Sequence, residues 1–311
     1  MDELRQIAPA PEQALHRPDE HWGVFGSDGA VLASCSLWWR TVPNLPGQRL
    51  GLIGHYAASD DSAAAQLLTA AQDTLRQCGC TLAVGPMDGN TWQRYRLLTE
   101  RGSEPAFFLE PDNPDAWPEH FTTQGFLSLA QYYSALNTDL SRQDERVAER
   151  WRYLALLGIT IRAFDAGRFE EELRAIYRVS VVAFTQNFLY TPVSEAEFVA
   201  HYQKVRPYLR PELILMAERE GRLVGYMFAL PNIATQPVRT VILKTVAVLP
   251  ERTSAGLGAV LVDRTQQVAR ELGYTRAIHA LMHETNRSRN ISRHTAAPFR
   301  RYTLFAKSLV P

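Results

Sequence analysis

The chain is poor in cysteine, has no long apolar run and carries no excess charge of either sign. Only three cysteines, Cys35, Cys78 and Cys80, occur in 311 residues. An odd number cannot pair completely, and with no hydrophobic leader segment this usage points to a reducing, cytoplasmic setting. Cys78-Gly-Cys80 lacks the Cys-x-x-Cys spacing of a redox pair and falls where a helix passes into a strand, so packing is its expected role. No stretch approaches the roughly 20 apolar residues of a membrane span, and no membrane partner is expected. The 33 basic and 33 acidic residues cancel, which leaves no electrostatic footprint for nucleic acid. With 46% apolar residues over this length, the chain is long enough for about two domains with real cores.

What is present is a strand that runs into a helix through a glycine loop. Val241 to Leu249 is apolar and rich in β-branched residues, the pattern of a buried strand. From Gly258 to Leu272, Leu261, Val268, Ala269 and Leu272 recur at helical spacing, and Gly273 supplies the stop. Between them lie Gly256 and Gly258. Unpaired N–H groups and the dipole at such a helix start favour an anion, and glycines let phosphate approach the backbone.

The order of strand, Val248-Leu-Pro-Glu251, a loop with Gly256-Leu-Gly258 and a long helix resembles motif A of the GNAT superfamily, the acyl-CoA-dependent N-acyltransferases. The resemblance implies that Arg252, Thr253, Ser254, Ala255, Gly256, Leu257, Gly258 and Ala259 bind the pyrophosphate of coenzyme A. In the family this loop begins with Arg or Gln, whereas here Thr253 stands at that position and Arg252 one residue early. The missing guanidinium would remove one bidentate phosphate partner. By position, the backbone of Val246, Ala247 and Val248 would receive the pantetheine arm and polarise the thioester carbonyl. Asn286 looks like the family Asn that contacts pantetheine or orients the acid.

The thiolate acid is less sharply marked. Aligning Phe299 with the family's Phe puts His294 at the usual Tyr position, aligning Asn286 gives Arg293, and Tyr302 in the last strand is an alternative. His294 could protonate a thiolate near neutral pH. No base is evident, since the central strand has Lys244 where some relatives have Glu. Lys244 could snorkel, pair with a buried carboxylate or contact an acidic substrate. His279 and His283 share a strand face but lack a third partner at motif spacing, so no metal is expected.

The chain reads as two related halves. Arg76 to Val84 resembles Arg270 to Ile278, and the offset relating Gly79 to Gly273 places Ser62 under Gly256 and Ala64 under Gly258. Phe126 to Leu136 likewise resembles Phe299 to Leu309. The expected fold class is α+β, two tandem GNAT-like domains, each a mixed, mostly antiparallel twisted sheet flanked by helices. Residues 1–138 would be a degenerate domain lacking the first two helices, 139–157 a connecting helix and 158–311 the working domain. In the first half Asp60 and Asp61 occupy the anion position, which speaks against coenzyme A there. Gly85 to Tyr95 reads as a loop whose Trp92, Arg94 and Tyr95 either contact substrate or the other half, or cover the end of the first core.

The acceptor site is expected in the loop Phe184-Thr-Gln-Asn-Phe-Leu-Tyr-Thr-Pro192, with Phe184, Asn187, Phe188 and Tyr190 enclosing substrate together with Lys244. It holds no Asp or Glu, which slightly favours a neutral or amphipathic amine. These readings lead to transfer of an acetyl or other acyl group from acetyl-CoA, as co-substrate, to a small-molecule or peptide amine by direct attack in a ternary complex. A non-catalytic acyl-CoA sensor is the alternative, and a monomer or homodimer is expected.

Overall fold

Period-two runs become strands and period-3.6 runs become amphipathic helices. The computed structural model describes residues 2–142, 144–285 and 295–310. The first half carries β1 (Glu3–Gln6), a single turn α1 (Pro11–Ala14), β2 (Glu20–Phe25), β3 (Val31–Trp38), β4 (Leu50–Ala58), α2 (Asp61–Gln77), β5 (Leu82–Gly85), β6 (Leu97–Glu100), α3 (Trp117–Thr123) and β7 (Leu127–Asn137). Then α4 (Glu145–Leu156) leads to β8 (Ile159–Ala163), α5 (Phe169–Ala183), α6 (Glu195–Gln203), β9 (Ile214–Arg219), β10 (Arg222–Pro231), β11 (Thr240–Val248), α7 (Leu257–Glu271), β12 (Arg276–His283) and β13 (Ala297–Ser308). Two of the strands, β1 and β6, are only four residues long. The helix expected near Ser288 to His294 lies outside the described residues.

All strands belong to one sheet, in the order β1-β2-β3-β4-β5-β13-β7-β12-β11-β10-β9-β8, with β6 also on β13. Among the described strands only β4–β5 and β11–β12 are parallel. The centre of the sheet is an exchange. The last strand of the second half, β13, pairs with β5 of the first, whereas the last strand of the first half, β7, pairs with β12 of the second. β13 and β7 then run antiparallel from Ala297↔Leu136 to Ala306↔Leu127. Each half therefore lacks its last strand until the other half supplies it.

Helices cover both faces of the second half. On one face Phe169, Ile176 and Phe198 of α5 and α6 pack on Met216, Tyr226 and Phe228. On the other, Val260 and Leu261 of α7 and Leu154 of α4 pack on Leu215, Met227 and Leu243. Burying each such side chain contributes roughly 1.5–3 kcal/mol. The connecting helix α4 thus docks onto α7. Among the described residues no helix is long and apolar enough to cross a membrane.

Candidate active site

The site begins where two parallel strands part. β11 and β12 pair from Thr240↔Arg276 to Leu243↔His279, and there the ladder ends although both strands continue. The cause lies on the other edge of β11. Leu243 pairs with Ala229 and Thr245 with Phe228, so Lys244 is an extra, bulged residue. A bulge bends its strand. Past it, Val246, Ala247 and Val248 keep their ladder with β10 and turn the opposite edge toward the opening.

The loop at the end of β11 suits a diphosphate. Arg252 to Ser254 form a 3₁₀ turn, Gly256 sits at φ 82° and no side chain caps α7. Only glycine adopts that φ freely, and the first N–H groups of α7 are left for a ligand. Arg150 of α4 donates to the carbonyl of Ala255 through Nε at 2.7 Å. The loop's departure from the family pattern is partly offset, because Arg219 at the end of β9 donates to the Thr253 hydroxyl. Arg252 itself is exposed. Ser254 Oγ is buried without a partner, a polar atom that a bound phosphate or its water would satisfy. These residues fit the pyrophosphate of coenzyme A. A cavity of about 730 Å³ opens beside this loop, between α5 and the β9–β10 hairpin, lined by Arg168, Arg222, Leu249 and Pro250 among others.

The matching place in the first half is filled by its own chain. β4 and β5 pair only from Leu50↔Leu82 to Leu52↔Val84. Met87 N–H then donates to Ile53 at 2.9 Å and His55 N–H to Asp88 Oδ1 at 2.5 Å. A Cβ on Gly54 would lie 2.2 Å from the Met87 carbonyl oxygen. At α2, the Asp60 carboxylate accepts from Ala63 N–H at 2.8 Å, and Asp61 meets His120 Nε2 at 3.0 Å. Both the slot between strands and the helix N-terminus are occupied. His55 also sits where the β3–β4 register slips, touching His16 Nδ1 at 2.7 Å through Nε2 and the Ser36 hydroxyl at 2.8 Å. Burial, with His16 and His21 nearby, pushes its pKa down to about 4. His16, His55 and Asp88 each bring a ligand atom within 4.8 Å of the others. The 2.7 Å contact is a hydrogen bond, shorter than the roughly 3.3 Å between two nitrogens on one tetrahedral zinc.

The first half nevertheless reaches the second half's opening. Trp92 donates through Nε1 to the Thr191 carbonyl at 2.8 Å and stands edge-on to Phe198, 5.6 Å between ring centres. It is an interdomain contact and not a cover for the first core. Arg96, at φ 68° and 5% exposed, lies over the rings of Tyr95 and Tyr132, 4.2 Å from each centre. Its Nη1 donates to the Tyr95 hydroxyl at 2.8 Å, while Nε has no partner. Tyr132 in turn meets His283 edge-on at 4.8 Å.

The residues expected to hold the acceptor divide. Phe188 leans on His283 at 5.8 Å, and the Tyr190 hydroxyl is buried without a partner. Phe184 is a half-buried member of the α5–α6 core, and Asn187 is exposed. Lys244 is half-buried, and burial followed by the charge of Arg96 pushes its pKa down to about 8. Tyr302 is fully buried, donating to Glu110 Oε1 at 2.5 Å and 3.2 Å from the Ser134 hydroxyl. Burial and the Glu110 charge raise its pKa well above the usual tyrosine range, which makes it a poor acid for a thiolate. His294 and Asn286 lie outside the described residues. Arg96 and Tyr132 are not marked as site residues in the sequence, and His283 is marked there only with His279 as a pair on one strand face. The signal was the adjoining Trp92-Gln-Arg-Tyr95 loop, whose continuation carries Arg96.

Comparison with known proteins follows the same lines. Residues 174–294 match the model of the acetyltransferase (GNAT) family. A bacterial ceramide synthase of Caulobacter vibrioides is 28% identical over 189 residues, 60% of this chain and 49% of that protein, so the match spans about half of the relative's length. Among solved structures, a GCN5-related N-acetyltransferase from Sphaerobacter thermophilus superposes with a TM-score of 0.55 at 14% identity, covering 99% of this chain and 96% of that one. A tandem GNAT protein from the clavulanic acid biosynthesis pathway gives 0.52 at 12% identity, covering 100% and 99%. At such identities these likenesses concern the fold.

Proposed function

The chain belongs to the GNAT family through its second half, and from that premise we propose that it is an acyl-CoA-dependent N-acyltransferase with one working site. The observation that carries this is the continuity of the opening past Lys244 with the uncapped N-terminus of α7. A thioester arm laid along the free edge of β11 has its phosphates at Ser254 to Ala259. In the first half both ends of that path are filled.

In this reading the amine nitrogen attacks the thioester carbonyl, the C–N bond forms, the C–S bond breaks and the thiolate takes a proton. Backbone groups of Val246 to Val248 orient the carbonyl. Asn286 and His294 are assigned to pantetheine and to the proton of the departing thiolate. The amine proton is assigned to His201 on α6, a ring open to solvent whose pKa desolvation and the charges of Lys244 and Lys204 push down. Acetyl is the simplest group transferred. A longer acyl chain has support of its own, because the relative from Caulobacter vibrioides is named a ceramide synthase and a ceramide is the amide of a long-chain acyl group.

A thiol-release assay over acyl-CoAs of graded chain length and a panel of amines tests the proposal. Amine-dependent release of free thiol is expected. Tight binding of acyl-CoA with no release for any amine would instead make the protein a sensor.

A further inference from the structure

At the mouth of the opening Arg96 and His283 each keep one N–H with no partner among the described residues, and Lys244 stands close by at the bulge. Arg96 is 5% exposed, with its Nε unpartnered. His283 Nδ1 accepts from Thr285 N–H at 3.1 Å. That bond puts the proton of the neutral ring on Nε2, which has no partner. Arg96 is close enough for its charge to depress the pKa of both Lys244 and His283, after the larger effect of burial.

Among the described residues neither Arg96 nor Lys244 has an ion-pair partner, and neighbouring acids are engaged elsewhere. Glu110 meets Arg300 at 2.8 Å and Glu284 meets Arg301 at 2.8 Å. Residues 286–294 contain no Asp or Glu, so no acidic side chain of that segment could pair with them either. Burying unpaired cations is costly, and such arrangements persist where a ligand brings the opposite charge. Coenzyme A does not bring it. Lys244 and Pro250, where the chain enters the phosphate loop, are six positions apart, about 20 Å of extended strand.

We propose that the acceptor is an amine that also bears an oxyanion, a carboxylate or a phosphate, held by Arg96, His283 and Lys244. This rests on the opening being the transfer site. Since the bulge at Lys244 leads directly into Val246 to Val248, where the thioester carbonyl would lie, the anion is only a few bonds from the attacking nitrogen. Amino acids and aminoalkyl phosphates have that form. The aromatic walls of Tyr132 and Phe188 accommodate the rest of such a molecule.

The test compares matched acceptors in the thiol-release assay: leucine against 3-methylbutylamine, and phosphoethanolamine against ethanolamine. The member of either pair that carries the anion should have the higher kcat/KM by roughly tenfold to a hundredfold, the scale of a charge-assisted hydrogen bond, and Arg96→Gln should erase the preference. Whichever pair shows it identifies the anion. Equal rates within both pairs, or a preference untouched by both Arg96→Gln and Lys244→Met, would overturn the proposal while leaving the transferase reading intact. Calorimetric binding of benzoate and phenylphosphonate is the arm that needs no turnover. Binding that Arg96→Gln and Lys244→Met each weaken supports the anion site even if no amine releases thiol, in which case the transferase reading is what fails. Absence of probe binding in a chain that does turn over, with no anion preference, counts against the site.

Discussion

The indole of Trp92 donates to the backbone carbonyl of Thr191 at 2.8 Å, so the first half of the chain grips the α5–α6 loop that we assign to the acceptor. Trp92→Phe keeps a ring against Phe198 and removes that one bond, a loss of about 1 kcal/mol. The amine KM should rise several-fold while affinity for acyl-CoA stays the same. Steady-state kinetics with the amine varied, alongside acyl-CoA titration, check the split. An equal loss in both would mean that Trp92 supports the whole fold and not the acceptor loop.

Lys244 supplies a pH-dependent prediction. Burial moves its pKa from 10.5 down to about 8, so between those values the unfolded chain binds a proton that the folded chain has lost. Stability should therefore rise with pH across that window, and below it the charged lysine is a standing cost. Lys244→Met should be more stable than the natural chain at pH 7, by about 1 kcal/mol or more, with the gap closing toward pH 10.5. Urea midpoints at the two pH values measure it. A destabilised variant at pH 7 would point to a partner for the ammonium.

For the phosphate loop, Gly258→Asp is the informative change. Gly256 is unsuitable, since at φ 82° any side chain is strained and a Cβ would lie 2.7 Å from Arg150 Nε. An Asp in the first turn of α7 favours the helix but repels a phosphate, by about 4 kcal/mol at 4 Å in a partly buried setting. Thermal stability should hold or rise while coenzyme A affinity falls roughly a thousandfold. Unchanged affinity would remove the phosphates from this loop.

The proton for the thiolate separates two residues. His294→Phe should lower turnover by roughly a hundredfold with coenzyme A affinity nearly unchanged. Tyr302→Phe should spare turnover and cost stability, of order 1–3 kcal/mol, because Glu110 loses a buried donor. The opposite pattern would place the acid in β13.

Much of this fold was legible because each element is local. The capping box of Ser194 and Glu197, the hairpin turn at Glu220-Gly221 and the stop at Gly273 are written within a few residues of where they act. The strand exchange is not local. β13 reads alike whether it pairs with β12 or with β5, since both readings bury Tyr302 and Leu304. The phosphate loop was legible for the same reason as the turns, its glycines acting in place. The group proposed to hold an anion was hidden because Arg96 and Tyr132 reach Lys244 and His283 only through that exchange. A lone Lys in an apolar strand and the aromatic loop from Trp92 to Tyr95 were the visible signs.

Titration of coenzyme A into the full chain, with the number of sites counted, tests most directly whether one half works and the other is closed. One equivalent per chain is expected, because Asp60 fills the N-terminus of α2 and Met87 and Asp88 fill the slot beside β4. Two equivalents, or none, would contradict it.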